Sequence, residues 1–148
     1  MAKSWMNVKV RYEKTLENGV TKKVIETILV DAMSFTEAEA RTIESMAPFM
    51  SGEFSVQAIK KEAYEEVQTC NRDGDLKWYK VRVAYITLDE KTGNEKKMYV
   101  NSLIQSESTA AAEKNFNQII NNMIEYEVVG VSETPIMDVF FYEEEKEV

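Results

Sequence analysis

Residues 4–14 alternate in character. Met6, Val8, Val10 and Tyr12 share one face and Lys9, Arg11 and Glu13 the other, which is the two-residue period of a half-buried strand. Asn18-Gly19 follows, a pair that tolerates positive φ and so favours a tight hairpin. Residues 20–31 are rich in β-branched side chains (Val24, Ile25, Thr27, Ile28, Val30) and predict a second strand. The period then changes. Ser34-Phe-Thr-Glu37 and Thr36-Glu-Ala-Glu39 both have capping-box spacing, in which a hydroxyl accepts from a free helix N–H and a glutamate reaches back. A helix is predicted to about residue 47, with Phe35, Ala38, Thr42, Ile43 and Met46 as its inner stripe. Pro48 and Ser51-Gly52 close it, and a third strand is predicted over 54–68.

The same order then returns. Trp5, Val8, Val10 and Tyr12 recur as Trp78, Val81, Val83 and Tyr85, at an offset of 73 residues. Beyond the hairpins, Lys22-Lys23 matches Lys96-Lys97 and Leu29-Val30 matches Leu103-Ile104. Ser34, Ala38 and Glu39 match Ser108, Ala112 and Glu113, and Phe54-x-Val56-x-x-Ile59 matches Tyr126-x-Val128-x-x-Val131. Similarity in one order across successive elements predicts a ββαβ unit written twice, a pseudo-symmetric pair and not a solenoid, which needs more copies. The second copy is expected to have strands near 76–88, 96–105 and 126–132. Its helix is expected near 109–124, with Ala112, Phe116, Ile119, Ile120 and Met123 inward.

The expected fold is therefore α+β, with antiparallel sheet and both helices packed on one face. One six-stranded sheet and two three-stranded sheets satisfy the pattern equally. The expected organisation is a first repeat over 1–70, a second over 71–142 fused to it in one compact unit, and an acidic tail over 143–148. Cys70 to Asp75 is the polar turn between the copies. Thr134-Pro135 breaks the apolar run that ends at Tyr142, so that run is expected to be an edge strand or a docked extension.

Composition narrows the chemistry. The 148 residues carry a net charge of −8, one cysteine and no histidine. Acidity of this size opposes tight non-specific binding to duplex DNA, where lysine and arginine must displace counterions. The opening Met1-Ala2-Lys3-Ser4-Trp5 lacks the apolar run of a signal peptide, and no stretch is apolar enough to span a membrane, so a soluble, cytoplasmic protein is expected. Without histidine there is no Ser-His-Asp or Cys-His arrangement and no Cys/His zinc site. The five glycines form neither GxGxxG nor a P-loop. Asn71-Arg-Asp-Gly-Asp75 lacks the distal glutamate of a calcium loop, and Glu37, Glu39 and Glu44 read as a solvated helix face. No catalytic residue, metal or cofactor is expected.

Two features remain for binding. The first strand of each copy places Trp5, Asn7, Lys9 and Arg11, and then Trp78, Lys80 and Arg82, on the face away from the core set. An aromatic beside basic side chains suits stacked bases and phosphates of a single strand, and also suits an oligomer interface or an ordinary polar sheet face. Met137, Phe140, Phe141 and Tyr142 are too apolar for a free tail and are candidates for a partner or oligomer contact.

Val30-Asp-Ala-Met-Ser-Phe-Thr-Glu-Ala-Glu-Ala-Arg41, Ser51-Gly-Glu-Phe-Ser55, Ile86-Thr-Leu-Asp-Glu-Lys91 and Glu133-Thr-Pro-Ile-Met-Asp-Val-Phe140 resemble an uncharacterised family of Bacteroidota and their phages, a domain of unknown function. The similarity spans nearly the whole chain. It implies a phage or mobile-element setting and supplies no site residues. The function expected is thus a non-enzymatic binding or adaptor protein acting by protein–protein contact, in host takeover or against a defence system. A single-stranded nucleic-acid module on the Trp/Lys/Arg face, or nucleotide sequestration between the repeats, is the alternative, and a homo-oligomer stays open.

Overall fold

The alternating run that opens the chain forms β1 (Trp5–Thr15), and the β-branched run forms β2 (Thr21–Asp31). They pair antiparallel from Trp5 opposite Asp31 to Thr15 opposite Thr21. Gly19, at φ 83°, makes the turn possible, and the Asn18 side chain accepts from the Val20 N–H at 3.1 Å. A computed structural model describes residues 4–50, 52–70, 74, 76–120 and 124–142. The described chain is α+β, with eight strands in two mixed sheets and two helices.

Ser34 caps α1 (Phe35–Met46), accepting from the Glu37 N–H at 3.1 Å, while Glu37 accepts from the Met33 N–H at 2.8 Å. The predicted capping chemistry is thus present, with the return bond made one residue early. Pro48 sits in a 3-10 turn (Ala47–Phe49), and β3 (Phe54–Glu62) then pairs antiparallel with β1. The predicted third strand stops short of residue 68. Val67–Gln68 is a separate short strand, β4. The order repeats with β5 (Lys77–Leu88), β6 (Glu95–Ser106), α2 (Thr109–Ile119, capped by Ser108) and β7 (Tyr126–Glu133), followed by β8 (Ile136–Phe140).

The sheets run β3-β1-β2-β8 and β4-β6-β5-β7. Within each, three strands pair antiparallel, in the orders β3-β1-β2 and β6-β5-β7. The fully antiparallel sheet expected from the sequence is corrected at one edge of each, because β8 lies parallel to β2 and β4 parallel to β6. A β-bulge falls at corresponding places. Lys9 and Val10 oppose Ala58 and Val56, leaving Gln57 extra, and Arg82 and Val83 oppose Gly130 and Val128, leaving Val129 extra.

Two compact units result, and their limits differ from the expected 1–70 and 71–142. Unit 1 joins the residues up to Glu62 with those from Pro135 on, and unit 2 is Ala63–Thr134. The reason is the strand assignment: β4 completes the sheet of unit 2, and β8 completes that of unit 1. The core of unit 1 is Met6, Val8, Val10, Ile28, Val30, Ala32, Ala38 and Met46, and that of unit 2 is Tyr79, Val81, Val83, Tyr85, Ile104, Ala112 and Phe116. In α1 the inner row is Ala38, Thr42 and Met46, whereas Phe35 and Ile43, expected inward, are 56% and 48% exposed. In α2, Ala112 and Phe116 are buried and Ile120 packs against them, while Ile119 is 43% exposed. Met123, most of the turn 71–75 and the tail 143–148 lie outside the described residues.

Candidate functional site

The basic residues of the first strands lie where the alternation put them. Lys9, Arg11, Lys80 and Arg82 are exposed, and Asn7 is half-buried. The Arg82 guanidinium stands 4.9 Å from the ring centre of Tyr99. The tryptophans correct the picture of an open aromatic and basic face. Trp5 is 3% and Trp78 4% exposed, so neither ring is presented for stacking on a base. Trp5 meets the edge of Phe141 with ring centres 5.4 Å apart. The continuous buried run Thr27 to Asp31 on β2 marks a strand covered on both faces at that level, as does Ser102 to Ile104 on β6.

The C-terminal segment packs at home along most of its length. Ile136 and Val139 are buried, Phe140, Phe141 and Tyr142 are half-buried, and Met137 is exposed. Phe140 and Tyr142 lie against the core of unit 1. Of the residues singled out for partner contact, Met137 alone offers most of its surface to solvent.

A feature the sequence did not single out recurs in both units. In unit 1 a groove of about 320 Å³ lies between α1 and the edge strand β3, lined by Phe35, Glu39, Val56, Gln57, Ala58 and Ile59. In unit 2 a groove of about 370 Å³ lies between α2 and the edge strand β7, lined by Thr109, Glu113, Val128, Val129, Gly130 and Val131, with Ala110. Counted from the helix caps and the bulges, these are corresponding positions. Each groove combines a lining of mixed polar and apolar character, a helix glutamate and an edge strand with a neighbour on one side only. The backbone groups on the outer side of such an edge are open to a further strand. Gly130 inside a strand pattern was the available sequence signal, since an isolated glycine there marks a bulge or a close backbone approach.

A larger hollow, about 460 Å³, lies elsewhere, among Arg11, Tyr12, Glu13, Lys23, Glu53, Phe54 and Ser55. Its charges are of both signs. Two phenols are perturbed. Tyr12 is pushed up to about 12 by burial and by hydrogen bonding to the Glu26 carboxylate. Tyr85 is pushed up to about 12 by burial and by Glu65, to which its hydroxyl donates at 3.0 Å. Such phenols stay protonated at neutral pH and anchor carboxylates. Among the described residues no cluster of three or more Cys, Asp or Glu could hold a metal ion, and no helix is long and apolar enough to cross a membrane.

Residues 4–142 fit the model of a family described as Domain of unknown function (DUF4494). No curated protein matches, and no solved structure matches.

Proposed function

This chain belongs to the DUF4494 family, and we propose that it is a non-enzymatic binding protein that takes an extended segment of a protein partner beside the open edges of β3 and β7. The recurrence of one groove at corresponding positions of both units carries this reading. An added strand satisfies the edge backbone, and alternate side chains enter the groove floor. The bulge at Gln57 or Val129 bends each edge, which opposes flat pairing with a second copy and favours a partner shaped to it. Glu39 and Glu113 flank the grooves, and the chain is acidic, so the segment favoured carries a basic residue.

The resemblance to proteins of Bacteroidota and their phages supplies a setting: a phage or mobile-element protein working in the bacterial cytoplasm on a host protein, in takeover or against a defence system. The test is a pull-down from host lysate with the full chain and with Glu39→Lys plus Glu113→Lys. Both glutamates are exposed, so the reversal leaves the cores alone. The wild type retains a stoichiometric protein and the double variant releases it. Absence of such a protein, or equal retention by the variant, overturns the reading.

A further inference from the structure

Unit 1 closes a hollow that unit 2 leaves open. In unit 1 the Tyr142 hydroxyl hydrogen-bonds with Ser45 Oγ and donates to the Arg41 carbonyl oxygen at 3.2 Å. The Arg41 guanidinium lies 4.7 Å from the centre of the same ring. Tyr142 and Phe140 thereby cover one side of the unit 1 core.

Strand register and helix caps identify the corresponding residues of unit 2. Val139 stands opposite Leu29 as Val67 stands opposite Leu103, and Ser34 caps α1 as Ser108 caps α2. Counting from these anchors, Gln68 takes the place of Phe140 and Cys70 that of Tyr142. Asn115 takes the place of Arg41, and Ile119 that of Ser45. A hollow of about 250 Å³ lies there, lined by Gln68, Cys70, Gln105, Asn115, Gln118 and Ile119, with Thr69 and Ile104. Two polar groups at the hollow are already paired. The Cys70 N–H donates to Gln105 Oε1 at 3.0 Å, and Asn115 Nδ2 donates to Ser106 Oγ at 3.0 Å.

The geometry points to a subsite in unit 2 for one neutral phenol ring, the tyrosine side chain of a bound partner, seated as Tyr142 is seated in unit 1. Its volume suits one ring and not an extended ligand, since pockets for whole small molecules start near 300 Å³. The lining residues carry no formal charge, and the cation that Arg41 supplies in unit 1 is replaced by an amide, so an anion gains nothing here. The Gln118 carboxamide offers both a donor and an acceptor to a ring hydroxyl. The source of the ring in a protein partner rests on the proposed function; the ring site itself does not.

Cys70 is the one cysteine of the chain, so its alkylation by N-ethylmaleimide reports on the hollow directly. With the full chain, p-cresol at ten times its Kd slows alkylation about tenfold by mass action, and p-toluate, the same ring bearing a carboxylate, leaves the rate unchanged. In NMR spectra p-cresol shifts the Asn115 and Gln118 side-chain amides of the wild type. In Cys70→Tyr, which fills the hollow from within, those shifts disappear. If that variant does not fold, the wild-type measurements decide alone. Unprotected alkylation and unshifted amides up to the solubility of p-cresol overturn the assignment, and so does equal protection by p-toluate. A failed pull-down beside a positive p-cresol result sinks the binding function and leaves the ring site standing.

Discussion

Removing the residues after Thr134 should destabilise the unit to which the start of the chain belongs. The truncation deletes β8, the strand that completes the unit 1 sheet beside β2. Ile136 and Val139 are 5% and 8% exposed, and full burial of such a side chain is worth about 1.5–3 kcal/mol, so the two contribute about 3–6 kcal/mol. Residual compactness of the unfolded chain trims that sum. Half-buried Phe140 and Tyr142, and the hydroxyl bonds of Tyr142 to Ser45 and Arg41, add to it. Against a total stability of about 5–15 kcal/mol, the loss is a large fraction. The assay is urea unfolding followed by Trp5 fluorescence in a Trp78→Phe background. Trp5 is a direct reporter because its ring meets Phe141. With a slope near 2 kcal/mol per molar urea, the midpoint falls by about 1.5–3 M. Ile136→Ala alone should cost about 2–5 kcal/mol. A truncated chain whose Trp5 transition stays within error of the full chain would refute the assignment of β8 to this unit.

Phe116, 1% exposed and edge-on to Tyr126 with ring centres 5.9 Å apart, anchors the unit 2 core. Phe116→Ala should cost about 3–5 kcal/mol, read from Trp78 fluorescence in urea. At the corresponding place in unit 1, Thr42 is buried and spends its hydroxyl on the Ala38 carbonyl at 2.7 Å, so Thr42→Val should change stability by only about 1 kcal/mol. Ser34→Ala and Ser108→Ala should each cost about 1 kcal/mol by loss of a helix cap, measured as a shift of the urea midpoint. Tyr12 and Tyr85 hold their protons more tightly folded than unfolded, since both are raised from 10.0 to about 12. The stability they add is complete below pH 10.0 and is lost as the pH climbs toward about 12. Phenolate absorbance should show both titrating late, and Tyr85→Phe should flatten the alkaline fall in stability; a normal titration of both would contradict the placement of Glu26 and Glu65.

The elements were legible because each rests on a local signal. Alternation at Met6, Val8 and Val10, the Asn18-Gly19 turn and the Ser34 and Ser108 caps are settled within a few residues, and each appears as expected. The helix rows were less so. α1 carries two apolar rows, Ala38-Thr42-Met46 and Phe35-Ile43, and a 3.6-residue period accommodates either until the sheet below selects the smaller side chains. The parallel edges were not legible, since neither the two residues of β4 nor the five of β8 encode the direction or identity of the strand they join. The burial of Trp5 and Trp78 did leave a trace. Ile28-Leu29-Val30 and Leu103-Ile104 are continuous where one covered face would alternate, and that continuity outweighs the polar reading of Lys9 and Arg11 further along the strand.

The candidate surfaces were the least legible, for a reason rooted in what a surface requires. A groove beside an edge strand needs an extra backbone residue and an unpaired row of amides, and neither demands a particular side chain. Gln57 and Val129 occupy the same bulge position with nothing chemical in common. The informative positions are therefore those where corresponding residues differ in what they can fill. Tyr142 against Cys70 and Arg41 against Asn115 are two such pairs, one closing its hollow and the other leaving it open. Core positions also differ in size, as Thr42 against Phe116 shows, so a difference alone does not mark a surface. What sets the Tyr142 and Cys70 pair apart is that the larger side chain fills a space which the smaller one leaves.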